Sequence, residues 1–126
     1  MDRMVATMGC AEYVEDLNAE VVVLSDETTG DRFELQRSIE FDDQDRAVGM
    51  DTYCVCMPWG ATHYGGIGSW REHDGVLEIS FTEEAAKALG MGLRFQVEMR
   101  MGPGLADAVV EGMRRIVGFA GDDSAT

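Results

Sequence analysis

The sequence predicts an α+β domain built on an antiparallel sheet of five or six strands arranged as a meander. A C-terminal helix packs on one face of this sheet, and a short helix precedes the last strand. Two observations predict this fold class. Apolar and polar side chains alternate with period two in several segments from position 19 to position 99, and the spacing changes to that of a helix at 82–90 and 102–118.

The length and composition indicate one soluble globular domain. A chain of 126 residues, 45% hydrophobic and 27% charged, can bury a core without the help of disulfides or metals. We expect this domain to span 1–120 and a flexible tail to follow at 121–126. Three cysteines are too few for a disulfide scaffold, and no segment has the apolar length of a signal peptide or membrane span. We therefore expect a cytoplasmic protein.

The first predicted strands form a hairpin between Ala19 and Phe41. The run AEVVVLSD is rich in β-branched residues, and ETTGD after it is typical of a turn. In the second strand Phe33, Leu35, Ile39 and Phe41 share one face. Arg37 interrupts that face, so we expect it to reach a carboxylate or the sheet edge. The acid-rich segment 42–51 then predicts a loop with room for a short helical turn.

A three-stranded meander is predicted from Thr52 to Phe81. Its strands are TYCVCM, HYGGIGSWRE and VLEISF, joined by a reversal at PWGAT and a hairpin turn at Asp74-Gly75. The glycines at 65, 66 and 68 predict a bulge or the close approach of another backbone. They do not form a nucleotide-binding loop, because no helix follows them.

Two helices are predicted after this meander. Thr82 suits the N-cap of the first helix, and Gly90 suits its end. The alternating segment LRFQVEM forms the last strand. In the second helix an apolar stripe predicts the side that packs on the sheet, and it comprises Leu105, Ala108, Val109, Gly112 or Met113, and Ile116.

The cysteines raise the question of a metal or catalytic site. Cys54 and Cys56 share one strand face, and His63 lies beyond the next reversal. These three residues define one alternative function, a small-ligand- or metal-binding domain. A structural zinc site needs four ligands, and the chain has no second cysteine pair. Two half-buried thiols explain the pattern more simply, so the sequence predicts no metal, no cofactor and no catalytic residue.

The aromatic residues of the glycine-rich strand suggest a contact surface. Tyr64 and Trp70 fall on one face of that strand with Gly66 and Gly68 between them. Small residues flanked by aromatic rings create a shallow concave surface for a partner's side chain. The same pattern also suits the close packing of the C-terminal helix, and the sequence leaves both interpretations open.

The net charge of −14, from 24 acidic and 10 basic residues, limits the possible partners. Such a surface repels nucleic acids and anionic membranes, whereas it attracts a basic protein. Asp42, Asp43, Asp45 and Asp51 form the densest acidic segment. A solvated loop tip and a surface for a basic cleft are both compatible with this segment.

The order of motifs FDDQD, DTYC, GATHYGG and a later tryptophan, followed by a helix that ends at LG, resembles the immunity protein 10 family of bacterial polymorphic-toxin systems. The resemblance covers Phe33 to Leu93. It implies a non-enzymatic inhibitor that binds a cognate protein toxin, and a basic nuclease would suit the acidic chain. The partner-binding residues expected on this basis are Asp42, Asp43, Asp45, Asp51, Tyr64 and Trp70. A homodimeric structural module is a further alternative.

Overall fold

The computed structural model describes residues 2–49 and 51–118. Within these ranges the strands are β1 (Arg3–Ala6), β2 (Met8–Val14), β3 (Ala19–Ser25), β4 (Arg32–Ser38), β5 (Cys54–Cys56), β6 (Thr62–Tyr64), β7 (Ile67–His73), β8 (Val76–Phe81) and β9 (Arg94–Met99). The helices are α1 (Asp43–Ala47), α2 (Glu83–Leu89) and α3 (Pro103–Ile116). The predicted tail, 121–126, lies outside the described residues. None of the described helices is long and apolar enough to cross a membrane.

The strands form two sheets. The first is an antiparallel sheet of five strands in the order β2-β3-β4-β5-β6, and the second has four strands in the order β1-β9-β8-β7. The second sheet is mixed, because β1 pairs in parallel with β9. The α+β class is confirmed, with its five-stranded antiparallel sheet, its C-terminal helix and its shorter helix before the last strand.

The sequence analysis missed the two N-terminal strands. β1 completes one edge of the four-stranded sheet, and β2 completes one edge of the five-stranded sheet. Their sequence, with glycine, alanine and methionine in place of a β-branched run, has low intrinsic strand preference. Pairing with β9 and β3 places these residues in strands, so tertiary contact overrides the weak local signal.

The meander predicted for Thr52–Phe81 is wrong in one respect: its strands belong to different sheets. The glycine-rich segment breaks into β6 and β7, which lie in the five-stranded and the four-stranded sheet respectively. Gly65 and Gly66, with φ of +71° and +100°, turn the chain from one sheet into the other. The predicted bulge is confirmed, because the register between β7 and β8 shifts between Ile67 and Ser69.

The core lies between the two sheets and is closed by α3. Phe33 of the five-stranded sheet contacts Phe95 of the four-stranded sheet, with ring centroids 5.3 Å apart. α3 packs on β2, β3 and β4. Its buried residues are Val109, Val110, Gly112, Met113 and Ile116. The predicted stripe is therefore wrong at Leu105, which is 46% exposed because it precedes the part of α3 that contacts the sheet.

Two further expectations for the β4 region are corrected. Arg37 reaches no carboxylate among the residues that the structure describes: its Nη1 donates to the carbonyl oxygen of Ile116 at 3.0 Å. A cation at this position satisfies a backbone acceptor at the end of α3. Ile39 is exposed, because β4 ends at Ser38 before the alternation reaches it.

Candidate partner-binding surface

The five-stranded sheet has an inner face on the core and an outer face toward solvent. We call the outer side the open face. Two cross-strand rows form its centre: Cys10, Val23, Glu34, Cys56 and Thr62 in one, and Glu12, Val21, Gln36, Cys54 and Tyr64 in the other. The side chains of these residues alternate with the core residues Val22, Leu24, Phe33, Leu35 and Val55 along the strands. Glu12, Thr62 and Tyr64 are exposed there.

An apolar strip runs through the middle of the open face. Ala19 and Val21 are 3% and 6% exposed, yet both lie outside the hydrophobic core cluster. Val14 and Val23 beside them are half-buried. Polar residues flank the strip, and among them Glu34 lies 2.6 Å from the Arg32 guanidinium. The open face thus combines an apolar centre with a charged edge.

All three cysteines lie on the open face as free thiols. The Sγ atoms of Cys54 and Cys56 are 3.9 Å apart. The pKa values of all three thiols are raised, mainly by burial. The neighbouring Cys54 thiol also raises the pKa of Cys56, which reaches about 12. These thiols are protonated at neutral pH, and a protonated thiol is a poor nucleophile and a poor metal ligand.

His63 does not join the cysteines. It pairs with Val55 in the β5–β6 register, so its side chain points to the opposite face of the sheet. Its Nδ1 lies 3.1 Å from the carbonyl oxygen of Gly65, and its Nε2 lies 3.5 Å from Glu84. Among the described residues no group of three or more His, Cys, Asp or Glu side chains is placed to hold a metal ion. The proposed set of Cys54, Cys56 and His63 is therefore not assembled.

The predicted acidic loop contains the short helix α1, as the sequence allowed. Asp42 is its N-cap: its side chain accepts a hydrogen bond from the Asp45 backbone amide at 2.7 Å, and the Asp45 side chain accepts one from the Asp42 backbone amide at 3.0 Å. Asp43 is fully exposed and lies 3.3 Å from Arg46. Asp51 is also exposed. The capping box explains why two of the acids occur with this spacing.

Asp45 and Tyr64 meet at the end of the open face. A cavity of about 140 Å³ lies between them, and its other lining residues are Leu17, Ala19, Gln36, Ser38, Thr52 and Cys54. Partial burial raises the pKa of the Tyr64 hydroxyl, and Cys54, Cys56 and Asp45 add to this effect. α1 thus places one predicted acid beside the predicted aromatic residue, although 19 positions separate them in the chain.

Trp70 lies elsewhere. It is 2% exposed in the four-stranded sheet, and its Nε1 donates to the carbonyl oxygen of Gly118 at 3.0 Å. The face predicted to be shared by Tyr64 and Trp70 does not form, because the chain changes sheets between β6 and β7. Trp70 therefore packs in the core, whereas Tyr64 is 40% exposed.

The comparison with protein families identifies the chain. The family model for immunity protein 10 matches residues 5–107. The chain belongs to the immunity protein 10 family. No curated protein and no solved structure matches it. Membership in this family implies an immunity protein that binds a cognate toxin.

The match also shows which parts of this immunity protein the family pattern includes. Residues 5–107 contain the whole of the open face, α1 and the segment that changes sheets. They extend beyond the region recognised from its motifs, Phe33 to Leu93, by including β2 and β3. The sequence analysis missed Glu12, Val21 and Val23 of the open face. The signal for the two valines was the AEVVVLSD run, in which they alternate with the core residues Val22 and Leu24.

Proposed function

We propose that this immunity protein is a non-enzymatic inhibitor that neutralises a basic cognate toxin. The toxin would bind the open face together with the acidic residues Asp42, Asp43, Asp45 and Asp51. The observation that carries the proposal is the position of Asp45 beside the exposed Tyr64 at the end of the solvent-facing side of the sheet. Trp70 is buried in the four-stranded sheet and does not lie on the open face.

The composition of the open face supports a role in protein recognition. Protein interfaces combine an apolar centre with a polar rim, and tyrosine is enriched among the residues that contribute most to binding. On the open face Val21 and Val23 lie at the centre, Glu12 and Glu34 lie beside them, and Tyr64 lies at one end. A partner that covers this face would contact Tyr64 and the half-buried Val23, and the exposed Glu12 carboxylate would be accessible to its cations.

The charge of the chain supports a basic partner. A net charge of −14 accelerates the approach of a cationic protein through long-range attraction, which salt weakens. A nuclease suits this description, because its substrate cleft must attract phosphate. α1 presents Asp43 without burying any of its own residues, so the charge remains available to a partner.

The state of the side chains supports an inhibitor that performs no reaction. The raised pKa values of Cys54 and Cys56 disfavour thiolates, and His63 lies on the other side of the sheet. Free, half-buried thiols also suit a reducing compartment, which supports action in the cytoplasm of a bacterial cell.

Binding kinetics with the purified toxin would test this proposal. The immunity protein is first used to capture its partner from lysate of its source cells at low salt, and the captured protein is then purified and assayed for toxicity. Association rates are compared for Asp43→Lys/Asp51→Lys and for the control Glu83→Lys/Asp107→Lys, which changes the net charge equally. We chose Asp43 and Asp51 because neither caps α1.

We expect the first pair to lower the association rate at low salt about tenfold and the control pair to lower it much less. Tyr64→Ala should increase the dissociation rate with little effect on association. Equal effects of the two charge pairs would place the toxin on another surface. A captured partner that is acidic, or that the immunity protein binds without inhibiting, would overturn the proposal.

A further inference from the structure

The four-stranded sheet also has an outer face, and its charge is opposite to that of the chain. We call it the arginine face. Arg3, Arg71 and Arg94 occupy its strand positions, and Arg100 follows directly after β9. The acids on the same strand positions are Glu78 and Glu98. Four of the ten basic residues of a chain with net charge −14 are therefore concentrated on one sheet face.

A cavity of about 210 Å³ opens on the arginine face. The side chains that surround it and point outward are Ser69, Arg71, Glu78, Ser80, Arg94 and Gln96. They form two adjacent cross-strand rows: Ser69, Ser80 and Arg94 pair in one, and Arg71, Glu78 and Gln96 pair in the other. The bulge at Gly68 produces this arrangement, because the extra residue turns Ser69 outward and Trp70 into the core.

The acid in this cavity, Glu78, is already paired with a cation. One carboxylate oxygen of Glu78 is paired with the Arg71 guanidinium, and the other accepts a hydrogen bond from Gln96 at 3.2 Å. The Arg71 hydrogen bond is the main cause that lowers the pKa of Glu78. Because Glu78 is ion-paired with Arg71, it repels an incoming anion less than an unpaired carboxylate would.

The neighbouring row offers donors that have no partner among the described residues. Within the described part of the chain Arg94 forms no ion pair within 4 Å, and it is exposed. The Ser69 and Ser80 hydroxyls lie beside it in register, at the spacing of about 5 Å between neighbouring strands. A guanidinium with two hydroxyls on one flat surface matches the oxygens of a phosphate or carboxylate, which accept several hydrogen bonds at once.

We propose that the Ser69–Ser80–Arg94 row, with Arg71 at its side, binds a small oxyanion, the phosphate or carboxylate group of a small molecule. The acidic remainder of the chain does not prevent this. At physiological ionic strength charges further away than about 8 Å are largely screened, so the arginines nearest the cavity dominate the local field. The site lies on the four-stranded sheet, whereas the open face belongs to the five-stranded sheet.

A titration of the full chain, followed through its backbone amide NMR signals, tests this site. Inorganic phosphate and citrate are added in separate experiments at constant ionic strength. We expect saturable shifts for Ser69, Ser80, Arg94 and Gln96 with a dissociation constant in the millimolar range. Saturation by phosphate alone or by citrate alone would assign the site to phosphate esters or to carboxylates, and saturation by both would assign it to oxyanions in general.

The variants Arg94→Gln and Arg114→Gln distinguish specific anion binding at this site from non-specific attraction of anions to any exposed arginine. Each removes one exposed guanidinium, but Arg114 lies on α3 and is paired with Glu111 at 3.1 Å. We expect Arg94→Gln to weaken binding at least fivefold and Arg114→Gln to leave it unchanged. Shifts that rise linearly without saturation, that spread over arginines on other surfaces, or that persist in Arg94→Gln would overturn the proposal.

Discussion

Asp42 and Asp45 each accept a hydrogen bond from the other's backbone amide, at 2.7 and 3.0 Å, and so define the start of α1. This reciprocal capping box fixes the orientation of Asp45, whose carboxylate borders the cavity beside Tyr64. Asp42 and Asp45 therefore have two roles in the proposed interface: they cap α1, and they contribute negative charge.

Removing the cap should loosen α1 without unfolding the domain. Asp42→Ala deletes one side-chain acceptor, and the loss of an N-cap costs about 0.5–2 kcal/mol. α1 contains no buried residue, so this cost falls on local opening of the helix. We expect faster amide exchange at Asp45 and Arg46 and an almost unchanged urea midpoint. Asp43→Ala removes the same charge but no cap, so equally fast exchange in that variant would contradict the prediction.

Gly66→Ala should destabilise the domain more than a change of backbone preference explains. Gly66 has a φ of +100°, and a Cβ there would overlap the Cβ of Ala85 in α2. Gly60 provides a matched control, because its φ is +92° and no atom lies within 4 Å of its Cβ position.

We expect about 1 kcal/mol for Gly60→Ala and about 1–3 kcal/mol more for Gly66→Ala, measured by urea denaturation. Equal losses for the two variants would mean that α2 moves away without cost. The point where the chain changes sheets would then be less tightly packed than its contacts indicate.

Two glycines of α3 should respond in opposite directions. A Cβ at Gly112 would lie 2.6 Å from Ala11 Cβ and from Val22 Cγ2, whereas the Cβ position of Gly104 is open. Alanine favours a helix over glycine by up to about 1 kcal/mol, so Gly104→Ala should stabilise the domain slightly. Gly112→Ala should lower the free energy of unfolding by about 1–3 kcal/mol through overpacking. Stabilisation by both variants would show that α3 can shift from the sheet.

The half-buried thiol of Cys56 should make stability fall at high pH. Burial raises the pKa of Cys56 in the folded protein to about 12, above the ordinary value of 9.0. The protonated thiol therefore contributes stability that is fully present below pH 9 and is lost as the pH rises toward 12, because the unfolded chain ionises first.

Urea unfolding of the wild type and of Cys56→Ala at pH 8 and pH 10.5 measures this contribution. We expect the free energy of unfolding of the wild type minus that of Cys56→Ala to be smaller at pH 10.5 than at pH 8. A difference that is the same at both pH values would mean that the thiol ionises equally in the folded and unfolded chains.

Local patterns predicted most of the elements between Ala19 and Ile116. Thr82 caps α2 through the hydrogen bond that its side chain accepts from Ala85, and Gly90 ends the helix with a φ of +72°. The alternation in LRFQVEM correctly places Phe95, Val97 and Met99 in the core, but it also points Leu93 inward, and Leu93 is 50% exposed because it precedes β9. Such features depend on residues within a few positions of each other, so the sequence contains the information directly. β1 was missed because its pairing partner, β9, is distant in the sequence, and β2 was missed because its own sequence has a low strand preference although it pairs with the adjacent β3.

The candidate site was only partly predictable for the same reason. The acids of 42–51 and Tyr64 could be named from composition and motif, but not the apolar strip beside them. Val21 and Val22 are neighbours in a uniformly apolar run, and only the position of α3 and the second sheet decides which one faces the core. The metal hypothesis failed in a similar way, since adjacency in sequence did not predict that Val55 and His63 share the inner face.

The sequence by itself determined the α+β class, the helix ends, the family and the acidic charge of this protein, because these depend on composition, local spacing and motif order. Only the tertiary structure decided that the strands divide into two sheets at Gly65 and Gly66. That division follows from the close approach of Gly66 to Ala85, a contact between residues 19 positions apart. This division buries Trp70 and exposes Tyr64. It also leaves two outer faces of opposite charge, because alternating side chains become inner or outer only when one side of the sheet is covered.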